Sequence, residues 1–190
     1  MIKHTKALLM LACAGMMLVP ALRASAATRT NGHTQKSPQV IAQEVRQRLV
    51  LLPYYDLFDW LEGDVSAEGV VTLRGQVVKP VTKTDAESAI RGIEGVEKVV
   101  NEIEVLPVSE DDARLRVVMY RALFGWTSPL FHYATQAVPP IHIIIKNGYV
   151  TLKGVVATPQ ESEIAFMKAN GVSGLVEVKN ELKVENASPK

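Results

Sequence analysis

The stretch Gly69-Val70-Val71-Thr72-Leu73-Arg74-Gly75-Gln76-Val77 decides the fold of this 190-residue chain, because a closely similar stretch occurs later in the sequence. It returns as Gly148-Tyr149-Val150-Thr151-Leu152-Lys153-Gly154-Val155-Val156, so that each glycine reappears 79 residues later. The same offset relates a second block, residues 95–105 in the first copy and residues 174–184 in the second. Two blocks in one register indicate a tandem repeat of one structural unit.

Each copy of this stretch has the alternation of a half-buried β-strand. In the first copy Val71, Leu73 and Val77 are apolar, and Thr72 and Arg74 stand between them. A period of two places the apolar side chains on one face of a sheet and the polar ones on the other. The stretch therefore predicts one strand in each repeat.

Four glycines punctuate these strands, and we interpret them as structural. Gly69 and Gly148 follow Glu68 and Asn147, and such dipeptides predict a hairpin turn with positive φ. Gly75 and Gly154 lie inside the strand, where glycine indicates a bulge or a closely packed neighbour. No helix begins directly after any of them, which argues against a phosphate-binding loop.

Helix signals flank the strands of the first copy. Ser37-Pro38 supplies an N-cap and a first-turn proline, and the apolar stripe that follows ends at Pro53. A first strand is predicted around residues 57–61. Residues 84–87, Thr-Asp-Ala-Glu, have the pattern of a capping box and predict the start of a second helix. A third strand is predicted over residues 96–105.

The second copy repeats this order. Ser109 and Asp112 predict the start of a helix that runs to about Phe124, and residues 158–161 combine an N-cap, a proline and a capping box. Strands are predicted over residues 141–145, 149–156 and 176–184. The second copy has five extra residues between its first helix and first strand, since those helices align at an offset of 74. The predicted fold class is α+β: two α-β-β-α-β units, each a three-stranded sheet with two helices on one face.

The N-terminus predicts export. Lys3 and Lys6 precede an apolar run from Ala7 to Val19 that is too short to span a bilayer, and Ala24-Ser25-Ala26 is a small-residue cleavage site. We therefore expect a periplasmic protein, possessing no transmembrane helix after processing. The expected segments are a signal peptide (1–26), a flexible leader (27–37), a first domain (38–106), a second domain (109–185) and a tail (186–190).

The single cysteine, Cys13, lies inside the apolar run. Lipidation of Cys13 is an alternative to ordinary cleavage. Met10 fits poorly three residues before a lipidated cysteine and the apolar run continues beyond Cys13, so we favour ordinary cleavage. Cleavage would leave no thiol for a disulfide or a metal site.

Charge excludes one class of partner. Removal of residues 1–26 would leave 18 of the 21 Lys and Arg against all 20 Asp and Glu, a net charge of about −2. A chain with this balance is not a nucleic-acid binder by charge alone. Attraction to anionic lipid would need a local basic patch.

The chain contains no motif for catalysis or metal binding. His33, His132 and His142 do not have the spacing of metal ligands, and no serine lies in a nucleophile elbow. The acidic residues 110–112 are interpreted as favourable charge at a helix N-terminus. We expect neither an enzyme nor a cofactor.

The strand stretches resemble those of the BON domain, a small module of bacterial periplasmic and outer-membrane-associated proteins. The resemblance includes the segments Gly95 to Asn101 and Gly174 to Asn180, and extends from about Val40 to Val184. It implies an α-β-β-α-β unit, no catalysis, and binding of phospholipid or of envelope partners.

The longer connection of the second copy is the candidate binding segment. It combines arginine with aromatic residues, which favour the headgroup region of a membrane. The candidate residues for binding lipid or a partner are Arg114, Arg121, Trp126, Phe131 and Tyr133. The alternative for any one aromatic residue is burial in the core. Trp126, between Gly125 and Thr127, is the residue we most expect to be exposed.

Three hypotheses of function follow from export and this segment. The first is a non-enzymatic envelope protein that binds anionic phospholipid through its second repeat. The second is a protein–protein adapter in the periplasm or at the outer membrane. The third is a periplasmic protein of the osmotic or general stress response with a chaperone-like role.

Overall fold

The computed structural model describes residues 36–136 and 139–185. The predicted signal peptide with Cys13, most of the leader and the tail from residue 186 lie outside the described residues. In the described part, each repeat has its own sheet and its own core.

The first repeat forms a mixed sheet covered by two helices. Its elements are α1 (Pro38–Val50), β1 (Trp60–Val65), β2 (Val70–Val77), α2 (Pro80–Arg91), β3 (Lys98–Asn101) and β4 (Glu104–Val105). β1 pairs with β2 antiparallel, and β3 and β4 both pair with β2 in parallel. The third strand of the repeat is thus interrupted, with β4 continuing along β2 where β3 stops.

The second repeat has the same order with one added helical turn. Its elements are α3 (Glu110–Phe124), α4 (Phe131–Ala134), β5 (Ile141–Lys146), β6 (Tyr149–Val156), α5 (Pro159–Asn170) and β7 (Glu177–Val184). β5 pairs with β6 antiparallel and β6 with β7 in parallel. The predicted α+β fold of two α-β-β-α-β repeats is confirmed.

Apolar helix stripes and the inner faces of the strands form the two cores. In the first repeat Ile41, Val45 and Leu49 of α1 pack over Val71 and Leu73 of β2. The second core has the same plan, with α3 and α5 packed over β5 and β6. Burial of this apolar surface is the main stabilising contribution to each repeat.

The glycines inside β2 and β6 have backbone conformations that other residues rarely adopt. Gly75 and Gly154 have φ of 127° and 120°. A Cβ atom on Gly75 would lie 1.8 Å from the carbonyl oxygen of Trp60, and one on Gly154 would lie 1.9 Å from that of Pro140. Each glycine therefore allows the neighbouring edge strand to approach the central strand of its sheet.

Two predicted boundaries in the first repeat are wrong. The first strand begins at Trp60, because Leu57 and Phe58 lie in a turn and pack against the second core. The second helix begins at Pro80 and not at Thr84. Thr84 lies in the second turn of α2, where its hydroxyl donates to the Pro80 carbonyl at 3.4 Å. A proline in the first helical position sets this start without a side-chain cap.

Of the acidic residues 110–112, Asp112 has a structural role beyond placing charge at a helix N-terminus. Ser109 is the N-cap of α3, and its hydroxyl accepts the Asp112 N–H at 3.2 Å. Asp112 is buried, and its carboxylate accepts the N–H groups of Asn147 and Gly148 at 2.8 and 2.9 Å. Asp112 thus fastens the β5–β6 turn to α3.

β5 is buried on both faces because the first repeat packs on its outer face. Alternate residues enter the second core: Ile141, Ile143 and Ile145. His142 and Ile144 point the other way and are also buried. The His142 ring lies 5.4 Å from that of Tyr55 and 5.2 Å from that of Trp60. The two repeats are therefore in direct contact through this strand.

The outer edge of β5 is covered as well. The Ile143 N–H donates to the Leu57 carbonyl of the first repeat at 2.8 Å. From α3, the Arg116 guanidinium donates to the Ile145 carbonyl at 3.1 Å. Polar groups along a bare edge would be open to pairing with other chains. Here the Ile143 N–H and the Ile145 carbonyl are satisfied within the chain.

Candidate functional site

The outer side of α3 carries arginines among exposed apolar residues. Arg114 and Arg121 are exposed, and between them along the helix lie the exposed side chains of Val117, Val118 and Tyr120. Spacings of three and four residues place all five on one contiguous arc of the helix. Glu110 and Asp111 are exposed at the N-terminal end of the same helix side, and Asp111 pairs with Arg114, so the arc combines apolar side chains with net positive charge only toward Arg121.

Trp126 lies two residues after the end of α3 and projects from the protein surface, with 88% of its own surface exposed. The Phe131 ring stacks on it, with the ring centroids 4.9 Å apart and the planes inclined by 23°. Phe131 is half-buried and so supports Trp126 from below. We call the exposed arc of α3 and Trp126 together the α3–Trp126 surface.

A short polar network holds the loop that presents Trp126. The Ser128 hydroxyl, which is buried, donates to the Leu123 carbonyl and accepts the Leu130 N–H at 3.3 Å. The Gly125 N–H donates to the Arg121 carbonyl at 3.0 Å, which ends the helix. Because these hydrogen bonds hold the chain before and after Trp126, the loop presents Trp126 in a defined position.

Tyr133 lies apart from this surface. It is only 6% exposed. Its hydroxyl donates to the Glu161 carboxylate at 3.0 Å and accepts the Ala157 N–H at 2.9 Å. Burial raises the pKa of the Tyr133 hydroxyl, so it stays protonated. Tyr133 therefore ties the extra turn α4 to the start of α5.

Of the five candidate residues, the structure brings four to one region: Arg114, Arg121, Trp126 and Phe131. The exposed apolar residues Val118 and Tyr120 were not among the candidates. A helical projection of α3 could have found Val118, because it lies beside the two arginines on the side away from the buried stripe, whereas Tyr120 lies at the margin of that stripe.

A groove of about 600 Å³ adjoins the N-terminal half of the α3–Trp126 surface. Its walls include Arg114, Leu115 and Val118 of α3, and Gly174 and Val176 from the turn before β7. Asp111 and Asp112 line it as well, so the groove extends the apolar character of the surface toward the second half of the repeat but not its positive charge.

Two segments of the chain, residues 39–107 and residues 133–186, match the model of the BON domain family. Together they make up more than half of the chain. The chain belongs to the BON domain family. BON domains occur in envelope-associated proteins and are generally non-catalytic.

The similar solved structures are only distantly related to this chain. Two structures of CdsD, a structural protein of the type III secretion system of Chlamydia trachomatis, are 9% and 10% identical to the BON protein, the second being a C-terminal domain. They cover 74% and 76% of this chain and 90% and 96% of their own, with TM-scores of 0.28 and 0.29. Such scores carry no argument about function. Among curated proteins no match is found.

The first BON repeat also exposes apolar residues near arginines at the end of α1, namely Leu51 and Tyr54 near Arg46 and Arg48, but its tryptophan, Trp60, is half-buried. Tyr55 and Trp60, the aromatic residues after α1, pack against His142. Tyr54 is 48% exposed, and the Lys79 ammonium lies 5.2 Å from the centre of its ring. The aromatic residues of the first BON repeat thus serve mainly the contact between repeats.

Two ionisable groups are buried where the BON repeats meet. Burial lowers the pKa of His142, whose Nδ1 has no hydrogen-bond partner among the described residues. Burial raises the pKa of Asp59 to about 6, although the Val78 N–H, 2.7 Å from its carboxylate, acts in the opposite direction. Both groups favour their neutral forms, as expected for side chains removed from water.

Neither a metal centre nor a membrane span is found in the described part of the BON protein. No three His, Cys, Asp or Glu residues within it cluster as metal ligands would. No helix in residues 36–136 and 139–185 is long and apolar enough to cross a bilayer.

Proposed function

We propose that this BON protein is exported and binds the surface of anionic phospholipid bilayers through the α3–Trp126 surface. The observation that carries the proposal is the exposure of Trp126 at the end of an exposed apolar and basic helix arc. The apolar surface of a tryptophan in this position stays exposed to water, which is unfavourable, unless a partner covers it.

The chemistry of the surface suits a membrane interface. The amphipathic indole ring favours the headgroup level, and the valines beside it supply apolar contact. Arginine near an anionic leaflet contributes roughly 1 kcal/mol per charge. Arg114 pairs with Asp111, whereas Arg121 forms no ion pair within residues 36–136 and 139–185. Arg121 is therefore the arginine we expect to contribute more.

The proposed place of action is the periplasm, with attachment to the membrane by binding rather than by a spanning helix. Export rests on the pattern of residues 1–26, and envelope association is a general property of BON domains. We propose a binding role without catalysis.

Co-sedimentation of the exported protein with vesicles tests the proposal. One set of vesicles contains phosphatidylcholine alone and the other contains added phosphatidylglycerol. We expect pelleting only with the anionic vesicles. Trp126→Ala should lower the affinity by roughly tenfold or more, and Arg121→Gln by about fivefold.

Matched substitutions in the first repeat are the controls. Tyr54→Ala removes an exposed aromatic residue and Arg46→Gln an exposed helical arginine, and neither should change pelleting. Equal pelleting with both vesicle types, or loss of binding in the controls alone, would contradict the proposal. Capture of one envelope protein that survives detergent, without vesicle binding, would instead support the adapter hypothesis.

A further inference from the structure

The strand β7 leaves one long edge of the second sheet uncovered. It has eight residues and pairs only with β6 within the described part of the chain. The contrast with β5 is sharp, since the edge of β5 is bonded by Leu57 and Arg116. Free edges of this length are templates for pairing with another strand.

The backbone groups that face this free edge can be identified from the pairing with β6. The Glu185 N–H donates to the Val156 carbonyl, and the register between β6 and β7 is uniform. Odd-numbered residues of β7 therefore turn their N–H and C=O groups toward β6. Even-numbered residues, from Val178 to Val184, turn theirs toward the free edge.

The side chains on the face of β7 away from the helices alternate in charge. In order they are Glu177, Lys179, Glu181 and Lys183, and the even-numbered Val178, Leu182 and Val184 pack toward the core. Lys179 and Glu181 already pair within the strand at 2.5 Å. An alternating row of this kind can also pair with a copy of itself running in the opposite direction.

We propose that β7 pairs antiparallel with the β7 strand of a second copy of this chain, with Asn180 opposite Asn180. In this register Glu177 lies opposite Lys183 and Lys179 opposite Glu181. By symmetry each of these two pairings occurs twice, and in all four pairs the facing charges have opposite signs. These positions are the non-hydrogen-bonded pairs, in which facing side chains come closest and charge matters most.

Charge also disfavours the neighbouring registers. With Lys179 at the centre, Lys179 faces itself and Glu177 faces Glu181. With Glu181 at the centre, Glu181 faces itself and Lys179 faces Lys183. Like charges directly opposite destabilise a strand pair, so of these three registers the row favours the one centred on Asn180.

One edge group is already engaged in the single chain. The Leu182 N–H donates to Asn180 Oδ1 at 3.1 Å, and the Asn180 amide donates to Ser162. In the dimer the Leu182 N–H would face the Val178 carbonyl of the second copy and would share or exchange this bond. The remaining edge groups, at Val178 and at the Asn180 backbone, gain partners.

The two-fold axis of such a dimer is perpendicular to the joined six-stranded sheet. Both helix layers then lie on the same side of that sheet. If the proposed membrane binding is right, both α3–Trp126 surfaces would face one bilayer, and binding would gain from avidity. Dimerisation itself does not depend on lipid, so the two proposals can fail separately.

Sedimentation equilibrium of the exported protein without lipid tests the dimer. We expect a reversible shift toward twice the mass of one chain as the concentration rises, stronger at low salt. Lys179→Glu alone places Glu opposite Glu181, and Glu181→Lys alone places Lys opposite Lys179. Each should weaken dimerisation at least tenfold.

Mixing these two variants separates pairing from misfolding, because opposite charges then meet across a heterodimer. Dimerisation should return to near the wild-type level in the mixture and in the double variant Lys179→Glu/Glu181→Lys. The control Glu102→Lys changes the equivalent edge position of the first repeat and should leave the mass distribution unchanged. A monomer at all concentrations, or single variants that dimerise as wild type does, would overturn the proposal, as would a mixture that stays monomeric.

Discussion

The Ile143 N–H of the second repeat donates to the Leu57 carbonyl of the first across 2.8 Å. This bond makes the turn after α1 a cover for the edge strand β5, and Phe58 beside it packs on the second core. The two repeats are thus joined by backbone pairing as well as by side-chain packing.

Weakening this cover should expose the Ile143 amide. Phe58→Ala removes apolar contact between the turn and the second core, so the turn should open more often. We expect faster hydrogen exchange at the Ile143 N–H, measured by NMR. The Val150 N–H in the central strand should keep its protection. Tyr54→Ala, an exposed change in the same connection, is the control. Unchanged exchange at Ile143 in the Phe58 variant would show that this packing does not hold the turn.

Asp112 should contribute more to the free energy of unfolding than its neighbour Asp111. Asp112→Ala leaves the Asn147 and Gly148 N–H groups without their acceptor, at a cost of about 2–4 kcal/mol in the free energy of unfolding. Asp111→Ala changes an exposed side chain and should cost less than about 0.5 kcal/mol. Urea denaturation measures both, and equal losses would contradict the role given to Asp112.

The strand glycines should not tolerate a side chain. Gly154→Ala would bring Cβ into contact with the Pro140 carbonyl oxygen at a φ of 120°, so β5 would have to move. We expect a loss of at least about 2 kcal/mol in the free energy of unfolding. Gly92→Ala is the control, because the nearest atom to its Cβ would be 3.8 Å away and its φ is negative. Thermal unfolding that ranks the two variants equally would refute this.

Lowering the pH should change the free energy of unfolding through two groups at the contact between repeats, in opposite directions. His142 has a lowered pKa in the folded state, so its contribution is present above the ordinary histidine value and is lost as the pH falls through the folded pKa. Asp59 has a raised pKa of about 6, so its contribution is present below the ordinary value of 3.8 and is lost as the pH rises through 6.

Variants separate these contributions. Between pH 7 and pH 5, His142→Gln should lose less stability on acidification than the wild type, and Asp59→Asn should lose more. The measured quantity is the difference between urea midpoints at the two pH values within each variant, so a constant loss from the substitution cancels. The same pH difference in all three proteins would contradict the account of these buried groups.

The sequence predicted the repeated unit well because its signals are local. Asn147-Gly148 indicates a hairpin by itself, and Asn147 does adopt a positive φ of 52°. The capping box at Thr158 and Glu161 forms as the pattern requires. A similar pattern at Thr84 does not act as a cap, because Pro80 had already started that helix. Local patterns cannot tell which of two nearby start signals comes first into effect.

The contact between repeats could be predicted only in part. Residues 141–145 are apolar at nearly every position, which is typical of a strand buried on both faces. His142 fits that burial only because Tyr55 and Trp60 of the other repeat surround it, and no short-range pattern links those residues. The exposure of Trp126 was predicted from its Gly, Ser and Pro neighbours, whereas the burial of Tyr133 depends on Glu161, 28 residues away.

Quenching of Trp126 fluorescence by brominated lipid tests the proposed membrane binding most directly. The chain has two tryptophans, so Trp60→Phe leaves Trp126 as the only tryptophan. With vesicles that contain phosphatidylglycerol, we predict a blue shift and quenching by bromine near the headgroup end of the acyl chain, and neither with phosphatidylcholine alone. Emission that stays unshifted and unquenched with anionic vesicles would contradict the account.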